Sequence, residues 1–269
     1  MSSLFNLVDR VAVVTGASGK LGPVWINALA GAGARVAGLD LASSLGRPEV
    51  AQLGEQLGDR FRAYAADVTS RASLEEACAR CVAELGAPAV LVNNAGIDSP
   101  PVAAGSRFRM EDVPFEVSRS IFEVNTLGAF QAAQVFGREM LKAGRGSIVN
   151  IGSLYASVSP DLRFYDHLGG DPPFLKPPAY GASKAALLSL TKYLATAWAP
   201  RGVRVNALSP GGVEGGQDAE FKRKFCARVP LGRMASLDDL VGPLLFLASD
   251  ASSYVTGIEL RVDGGFTVW

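Results

Sequence analysis

The sequence predicts an α/β fold in which a parallel β-sheet carries helices on both faces. Short apolar runs alternate with helical patterns along most of the 269 residues, and this alternation is typical of βαβ units. The runs are almost continuously apolar, as expected of strands that are buried on both faces. Seven of them are predicted strands, at 11–14, 36–39, 62–65, 89–92, 147–151, 203–208 and 259–262.

Helical patterns fill the intervals between the predicted strands. They cover 21–32, 49–57, 73–85, 118–142, 179–199 and 237–249, and a short polar helix is predicted at 218–228. No internal repeat or low-complexity linker divides the chain, and 48% hydrophobic residues at this length suffice for one well-buried core. We therefore expect a single domain over 1–269.

Charge and hydropathy restrict the expected partners. Lys plus Arg and Asp plus Glu number 26 each, so no net charge points to nucleic acid or to an anionic membrane. No apolar run approaches the ~18–20 residues of a membrane span. Asp9 and Arg10 interrupt the N-terminal stretch, which argues against a secretory signal. We expect a cytoplasmic protein whose partner is a small molecule.

The three cysteines do not form a disulfide framework, because their number is odd and their spacing sparse. Cys78 and Cys81 form a C-x-x-C pair inside the helical pattern 73–85. With only Cys226 and one histidine left in the chain, a four-ligand zinc site is not expected. A packing role is the interpretation, and no metal is predicted.

The first predicted strand leads into a glycine-rich turn, TGASGKLG at 15–22, and a helix follows. Glycines let the backbone approach a pyrophosphate, and the N-terminus of a helix favours negative charge. A lone turn of this kind is a weak signal, but its place after the first strand predicts a dinucleotide site. The predicted contacts are Gly16, Ser18, Leu21 and Gly22.

The second predicted strand ends at Asp40, 18 residues after Gly22. A carboxylate there accepts hydrogen bonds from the adenosine ribose hydroxyls and repels a 2′-phosphate. Leu41 follows instead of a basic residue, so the predicted cofactor is NAD rather than NADP. Lys20 and Arg47 leave some use of NADP open.

Polar and small residues also follow the third and fourth strands. Asp67 and Val68 are predicted to meet the adenine edge. Asn94, Ala95 and Gly96 are predicted to leave room for a ribose, and an Asn amide can tie neighbouring loops together. Plain turn chemistry is the alternative for both groups.

Tyr180 and Lys184 are four residues apart and share one face of a predicted helix. A phenol has a reference pKa of about 10, and a neighbouring cation lowers that pKa because it favours the phenolate. Such a pair can act as a general acid/base at an alcohol oxygen. A surface Tyr-x-x-x-Lys is the alternative when the pair is considered alone.

In this order the motifs resemble those of the short-chain dehydrogenase/reductase family, over residues 7–269. The resemblance is carried by 15–22, Asp40, Asp67, 93–96, Asn125, Ser153, Tyr180, Lys184, Pro210 and Gly211. It implies a Rossmann-like, doubly wound sheet of seven parallel strands in the order 3-2-1-4-5-6-7.

The resemblance also implies the roles of the site residues. Tyr180 is the catalytic acid/base, and Lys184 binds the nicotinamide ribose and lowers the pKa of Tyr180. Ser153 hydrogen-bonds the substrate oxygen, and Asn125 holds a water that links Lys184 to solvent. Pro210, Gly211 and the backbone of Val213 contact the nicotinamide.

Three features depart from the family pattern. Lys20 stands where the turn usually carries glycine, and Gly215 stands where a Thr often contacts the carboxamide. Ser153 and Tyr180 are 27 residues apart, about twice the spacing that the family resemblance implies. The extra length is the segment 159–178, here called the insertion, which holds five prolines and the only histidine.

The insertion begins and ends beside the predicted reaction centre, so we expect it to wall the substrate pocket. Candidate substrate contacts are Tyr155, Arg163, Tyr165, Asp166 and His167. A solvent-exposed or subunit-contact loop is the alternative. The glycine-rich segment 212–229 is predicted to be a mobile lid over the same pocket.

The predicted function is an NAD(H)-dependent oxidoreductase that interconverts a secondary alcohol and a ketone. The insertion and the C-terminal sequence resemble dehydrogenases of bacterial surface-sugar and flagellin-modification pathways, which implies a sugar-like polyol. An NADPH-dependent 3-oxoacyl ketoreductase and a non-catalytic dinucleotide-binding scaffold are the alternatives. The apolar content of 118–142 and 179–199 predicts a homotetramer or at least a dimer.

Overall fold

A computed structural model describes residues 3–98 and 107–269. Seven parallel strands form one sheet in the order β3-β2-β1-β4-β5-β6-β7, which confirms the predicted fold class. The strands are β1 Val11–Thr15, β2 Arg35–Asp40, β3 Phe61–Ala65, β4 Pro88–Asn93, β5 Gly146–Ile151, β6 Val203–Pro210 and β7 Glu259–Val262. Each lies within two residues of its predicted bounds.

Helices cover both faces of the sheet. They are α1 Gly22–Gly31, α2 Pro48–Leu57, α3 Arg71–Glu84, α4 Phe115–Phe122, α5 Ala129–Ala143, α6 Pro178–Trp198, α7 Ala219–Cys226 and α8 Val241–Ala248. The helix predicted over 118–142 runs without interruption over 115–143, but it contains a π-helical segment, Glu123–Gly128, between α4 and α5. A periodicity of apolar residues cannot reveal one extra residue inside a helical turn.

Successive strand residues point to opposite faces and build two cores. Ala12 and Val14 of β1 pack with α1, α2 and α8, whereas Val11 and Val13 pack with α3, α5 and α6. Cys78 and Cys81 are buried in the second core, and burial raises the pKa of their thiols to about 11 and about 12. Both thiols therefore stay protonated at neutral pH and act as packing groups.

The carboxyl ends of five strands, β1, β2, β4, β5 and β6, surround one crevice at the edge of the sheet. β1 pairs with β2 on one side and with β4 on the other, so the chain direction of the crossovers reverses between β1 and β4. In open α/β sheets the crevice at such a reversal is the usual ligand site. The glycine-rich turn and the residues after β2, β4, β5 and β6 meet there.

The insertion is packed against the protein rather than extended into solvent. Its residues Leu162–Leu168 form a 3₁₀ helix, and Phe164 on that helix is buried. The Phe164 ring packs edge-on against three other rings, at centroid distances of 6.0, 5.8 and 6.3 Å from Phe221, Phe225 and Phe266. The insertion, α7 and the C-terminal segment therefore share one aromatic cluster.

Among the helices of the described residues, none combines the length and the apolar character needed to cross a membrane.

We expect Phe164→Ala to lower the free energy of unfolding by about 3–5 kcal/mol, because it removes a buried ring at the centre of this cluster. Chemical denaturation measures the change. Leu162→Ala is the matched control, since that side chain on the same 3₁₀ helix is 49% exposed and should change stability by only about 0.5 kcal/mol. Equal effects of the two variants would contradict the packing described here.

Candidate active site

Tyr180 lies in the first turn of α6, which begins at Pro178. Proline suits this first helical position because its missing N–H has no partner there in any case. The turn faces a cavity of about 460 Å³ at the crevice of the sheet. Ten of the predicted cofactor contacts line it: Gly16, Leu21, Asn94, Ala95, Gly96, Tyr180, Lys184, Pro210, Gly211 and Val213.

The glycine-rich turn is tied to the end of β4. Asn94 Nδ2 donates to the carbonyls of Thr15 and Gly16, at 2.9 and 3.0 Å. Gly16 has φ +69°, and an added Cβ would lie 2.9 Å from Ala95 Cα. At Gly22 an added Cβ would lie 2.3 Å from the Gly16 carbonyl oxygen. Glycine is therefore required at both positions by close approach of the backbone.

Asp40 is held at the edge of this turn. Its Oδ2 accepts hydrogen bonds from the amide and the hydroxyl of Ser18, at 2.8 and 2.7 Å. Its Oδ1 accepts from the Leu41 amide at 2.8 Å. The carboxylate therefore lies at the end of β2 beside Ser18. Neither Asp40 nor Ser18 is among the residues that line the cavity.

Asp67 and Val68 lie outside the lining of the cavity. The Asp67 carboxylate accepts hydrogen bonds from the amide and hydroxyl of Thr69, at 2.9 and 2.7 Å. Val68 packs against Gly128, where an added Cβ would lie 2.8 Å from Val68 Cγ2. These contacts are turn and packing chemistry, and the adenine contact stays a prediction.

Two departures from the family pattern meet in space. Lys20 Nζ donates to the Val213 carbonyl at 3.0 Å, and an added Cβ at Gly215 would lie 2.7 Å from that Nζ. Gln217 Nε2 donates to the same carbonyl at 3.0 Å. The lysine therefore bridges the glycine-rich turn to the segment after β6, in space that a side chain at position 215 would fill.

The hydrogen bond to Val213 also holds the Lys20 ammonium at the wall of the cavity. Burial lowers the pKa of Lys20, and the nearby charge of Lys222 lowers it further. The ammonium bonds a carbonyl at the β6 end of the cavity, whereas Asp40 is bonded to Ser18 at the end of β2.

The acid/base candidate Tyr180 lines this cavity together with Ser153 and Lys184. Burial raises the pKa of Tyr180, while a hydrogen bond with the Ser153 hydroxyl and the charge of Lys176 act in the opposite direction. Lys184 is buried one helical turn away, with Nζ 6.0 Å from the centroid of the Tyr180 ring. Its ammonium donates to the Ile151 carbonyl at 2.8 Å, and burial lowers its pKa to about 8.

Asn125 occupies the π-helical segment and is completely buried. Its Oδ1 accepts from the Ile97 amide and its Nδ2 donates to the Ile97 carbonyl, both at 2.8 Å. Nδ2 also donates to the Ser183 hydroxyl at 3.1 Å. Asn125 therefore fixes the loop after β4 to α6. Its role in a water relay stays a prediction.

A second cavity of about 600 Å³ adjoins the first and shares Asp98, Ser153, Tyr180, Gly211 and Gln217 with it. Tyr155 and Tyr165, both predicted substrate contacts, line this second cavity together with Phe174, Lys176 and Phe221. The insertion and α7 form its walls. The two cavities therefore meet at Tyr180 and Ser153.

Arg163, Asp166 and His167 do not line either cavity. Arg163 bonds Asp161 at 2.7 Å and is 80% exposed, and Asp166 bonds Lys224. His167 Nε2 lies 2.8 Å from Asp218 Oδ1. A 3₁₀ helix repeats every three residues, so Tyr165 and Leu168 face the cavity while residues 163 and 166 face away from it. The sequence pattern did not reveal this period.

Several residues that line the cavities were not predicted as contacts, among them Gln217, Asp98 and Lys176. Gln217 lines both cavities, Asp98 lines both, and Lys176 lines the second. Lys176 is the one lysine of the insertion and lies four residues before Tyr180, which was the available signal. Asp98 carried no signal, because its approach to Lys176 depends on the path of the insertion.

Known proteins resemble this chain over nearly its whole length. A family model described as enoyl-(acyl carrier protein) reductase matches residues 21–267. The chain is 38% identical to 2-dehydro-3-deoxy-D-gluconate 5-dehydrogenase of Bacillus subtilis, over 97% of this chain and 96% of the relative. It is 35% identical to D-threitol dehydrogenase of Mycolicibacterium smegmatis, over 98% and 95% of the two chains.

Solved structures agree with the fold. A gluconate 5-dehydrogenase from Burkholderia cenocepacia, in complex with NADP and tartrate, superposes with a TM-score of 0.84 at 31% identity and covers 99% of this chain and 98% of its own. A short-chain dehydrogenase from Leptospira borgpetersenii with bound NAD⁺ gives 0.83 at 33% identity, with 97% and 94% covered. The family resemblance predicted from the sequence is confirmed: this chain belongs to the short-chain dehydrogenase/reductase family, whose named members here are dehydrogenases that act on CH–OH groups.

Proposed function

We propose that the protein is an NAD(H)-dependent dehydrogenase that interconverts a secondary alcohol and a ketone on a polyol or a sugar acid. The observation that carries the proposal is the junction of the two cavities at Tyr180 and Ser153. A dinucleotide in the first cavity and an alcohol in the second would meet at a phenol that can exchange a proton. The cofactor supplies the hydride chemistry when bound.

The residues of the chain have distinct parts in this reaction. Ser153 donates to the substrate oxygen and orients it, and Tyr180 takes the alcohol proton in oxidation or returns it in reduction. The buried ammonium of Lys184 favours the phenolate and binds the nicotinamide ribose. Asn125 holds the loop that carries Gly96, where an added Cβ would lie 3.3 Å from Lys184 Nζ.

The substrate class rests on the second cavity and on the relatives. Tyr155, Tyr165 and Gln217 offer hydroxyl and amide groups among aromatic walls, which suits several hydroxyl groups on a small carbon chain. The gluconate and threitol dehydrogenases act on such compounds, as their names state. This is the broad class that the sugar-related sequence resemblance predicted.

The two alternatives are less well supported. An NADPH-dependent 3-oxoacyl ketoreductase conflicts with the carboxylate of Asp40 at the end of β2, since a 2′-phosphate would be repelled there. A non-catalytic scaffold has no evident use for Ser153, Tyr180, Lys184 and Asn125 around a single point. We retain 212–229 as the proposed lid, because Gln217 and Phe221 of that segment cover the second cavity.

A homotetramer or dimer is also proposed. Leu127 and Tyr193, in the two segments whose apolar content predicted it, are 53% and 72% exposed. We expect light scattering of the purified protein to give a mass of two or four chains, and a monomer at micromolar concentration would contradict this.

We expect NADH to bind at least about tenfold more tightly than NADPH, equivalent to roughly 1.4 kcal/mol, because the carboxylate of Asp40 at the end of β2 would repel a 2′-phosphate. Fluorescence titration with each cofactor measures the ratio. Asp40→Ala should reduce this ratio, and Asp59→Ala, which removes a fully exposed carboxylate just before β3, should leave it nearly unchanged. Tighter binding of NADPH by the unmodified protein would refute the assignment.

We expect Tyr180→Phe to lower kcat by about 10²–10⁴-fold, the range of general acid/base catalysis, and to leave NADH binding nearly intact. The assay follows NADH formation with a panel of polyols, sugar acids and simple alcohols. Tyr193→Phe is the control, because this tyrosine of the same helix is exposed. Substantial residual turnover in Tyr180→Phe would eliminate the proposed mechanism.

A further inference from the structure

The insertion places a second lysine beside the acid/base candidate. Lys176 Nζ lies 5.1 Å from the centroid of the Tyr180 ring and 5.7 Å from that of Tyr155. The Lys176 side chain is only 15% exposed. This ammonium is therefore partly desolvated at the face of the phenol, where a cation interacts favourably with the ring.

Asp98 holds this ammonium in place. Lys176 Nζ donates to Asp98 Oδ2 at 2.7 Å. Asp98 directly follows Ile97, whose amide and carbonyl are both bonded by Asn125. The lysine is thus fixed from the loop after β4 as well as from the insertion, and its position does not depend on the long side chain alone.

We infer that Lys176 is a positioning residue that acts through Tyr180: its ammonium, held by Asp98 against the ring, stabilises the phenolate that takes up the substrate proton. The inference rests on the proposed role of Tyr180 as acid/base. It assigns a function to the insertion, which delivers a charge to the reaction centre as well as forming a wall.

Lys184 by itself is less well placed to stabilise the Tyr180 phenolate. Its Nζ is farther from the ring, at 6.0 Å, and burial lowers its pKa to about 8. Burial of Lys176 also opposes its charge, but the Asp98 carboxylate together with Tyr165 and Tyr180 outweighs burial, and the pKa of Lys176 is raised. Above a pH of about 8, Lys176 is accordingly the cation that keeps its charge beside the phenol.

The groups around Tyr180 determine whether its pKa rises or falls when Lys176 is replaced. Ser153 after β5 and Lys176 lower the pKa of the phenol, and the Asp98 carboxylate raises it. Lys184 on α6 and the Tyr155 hydroxyl complete the surroundings. Removal of the Lys176 charge should therefore raise the pKa of Tyr180, whereas a variant that keeps a positive charge at position 176 should leave that pKa nearly unchanged.

The test is the titration of Tyr180 in the NAD⁺-saturated protein, followed by NMR of tyrosine labelled with ¹³C at Cζ. Tyr180→Phe identifies the resonance among the six tyrosines of the chain. We expect Lys176→Met to raise the titration midpoint by about one pH unit or more, in the range produced by a charge at this distance. Lys176→Arg, which keeps the positive charge, should stay near the unmodified value.

Two results would overturn the inference: an unchanged midpoint in Lys176→Met, or a midpoint that rises as far in Lys176→Arg as in Lys176→Met. If Lys176→Met does not fold, Lys176→Gln is the second neutral variant, and an unchanged midpoint in it contradicts the inference. The readout needs no substrate. If no alcohol of the panel is oxidised, or if Tyr180→Phe remains active, the proposed function is contradicted. The titration result does not depend on either outcome.

Discussion

The pairing of β1 with both β2 and β4 is the constraint on which the site depends. Parallel strands bring their carboxyl ends to one edge, and the reversal of strand order between β1 and β4 opens a crevice there. Asn94 closes this crevice at its base, because its amide bonds the carbonyls of Thr15 and Gly16. The glycine-rich turn, Asp40 and the small residues after β4 have their relative positions only because these strands are neighbours.

Buried polar groups then position the reaction centre within that crevice. Lys184 is wholly buried and bonded to a carbonyl of β5, and Asn125 connects the loop after β4 to α6. Unpaired polar groups at these depths would each cost about 1–3 kcal/mol. The network reaches Tyr180 through Ser183, whose hydroxyl accepts from Asn125 and donates to the Tyr180 carbonyl. Asn125 makes its two bonds to Ile97 from the π-helical segment.

The insertion adds a second layer to this arrangement. Phe164 fastens it to α7 and the C-terminal segment, and Lys176 fastens it to Asp98 beside Tyr180. Tyr165 packs on Phe174 and Phe221, at 4.6 and 5.2 Å between ring centroids. The insertion therefore contacts α7, the C-terminal segment and the surroundings of Tyr180 together, so the shape of the second cavity and the charge near the phenol depend on the same segment.

The sequence by itself determined the seven strands, most of the helices, the cofactor turn and the order of Asn125, Ser153, Tyr180 and Lys184. These features depend on local requirements: apolar runs for buried strands, glycine where backbones approach closely, and one-turn spacing on a helix. Their signals lie within a few residues of one another, so they can be read along the chain.

Only the tertiary structure decided the rest. Lys176 and Asp98 are 78 residues apart, and Lys20 meets Gly215 from the opposite end of the chain, so neither pair leaves a local pattern. Arg163 and His167 were expected at the substrate, but the three-residue period of a 3₁₀ helix and their bonds to Asp161 and Asp218 turn them to other partners. The physical reason is the same in each case: side-chain direction and long-range contact follow from packing, which no spacing along the chain records.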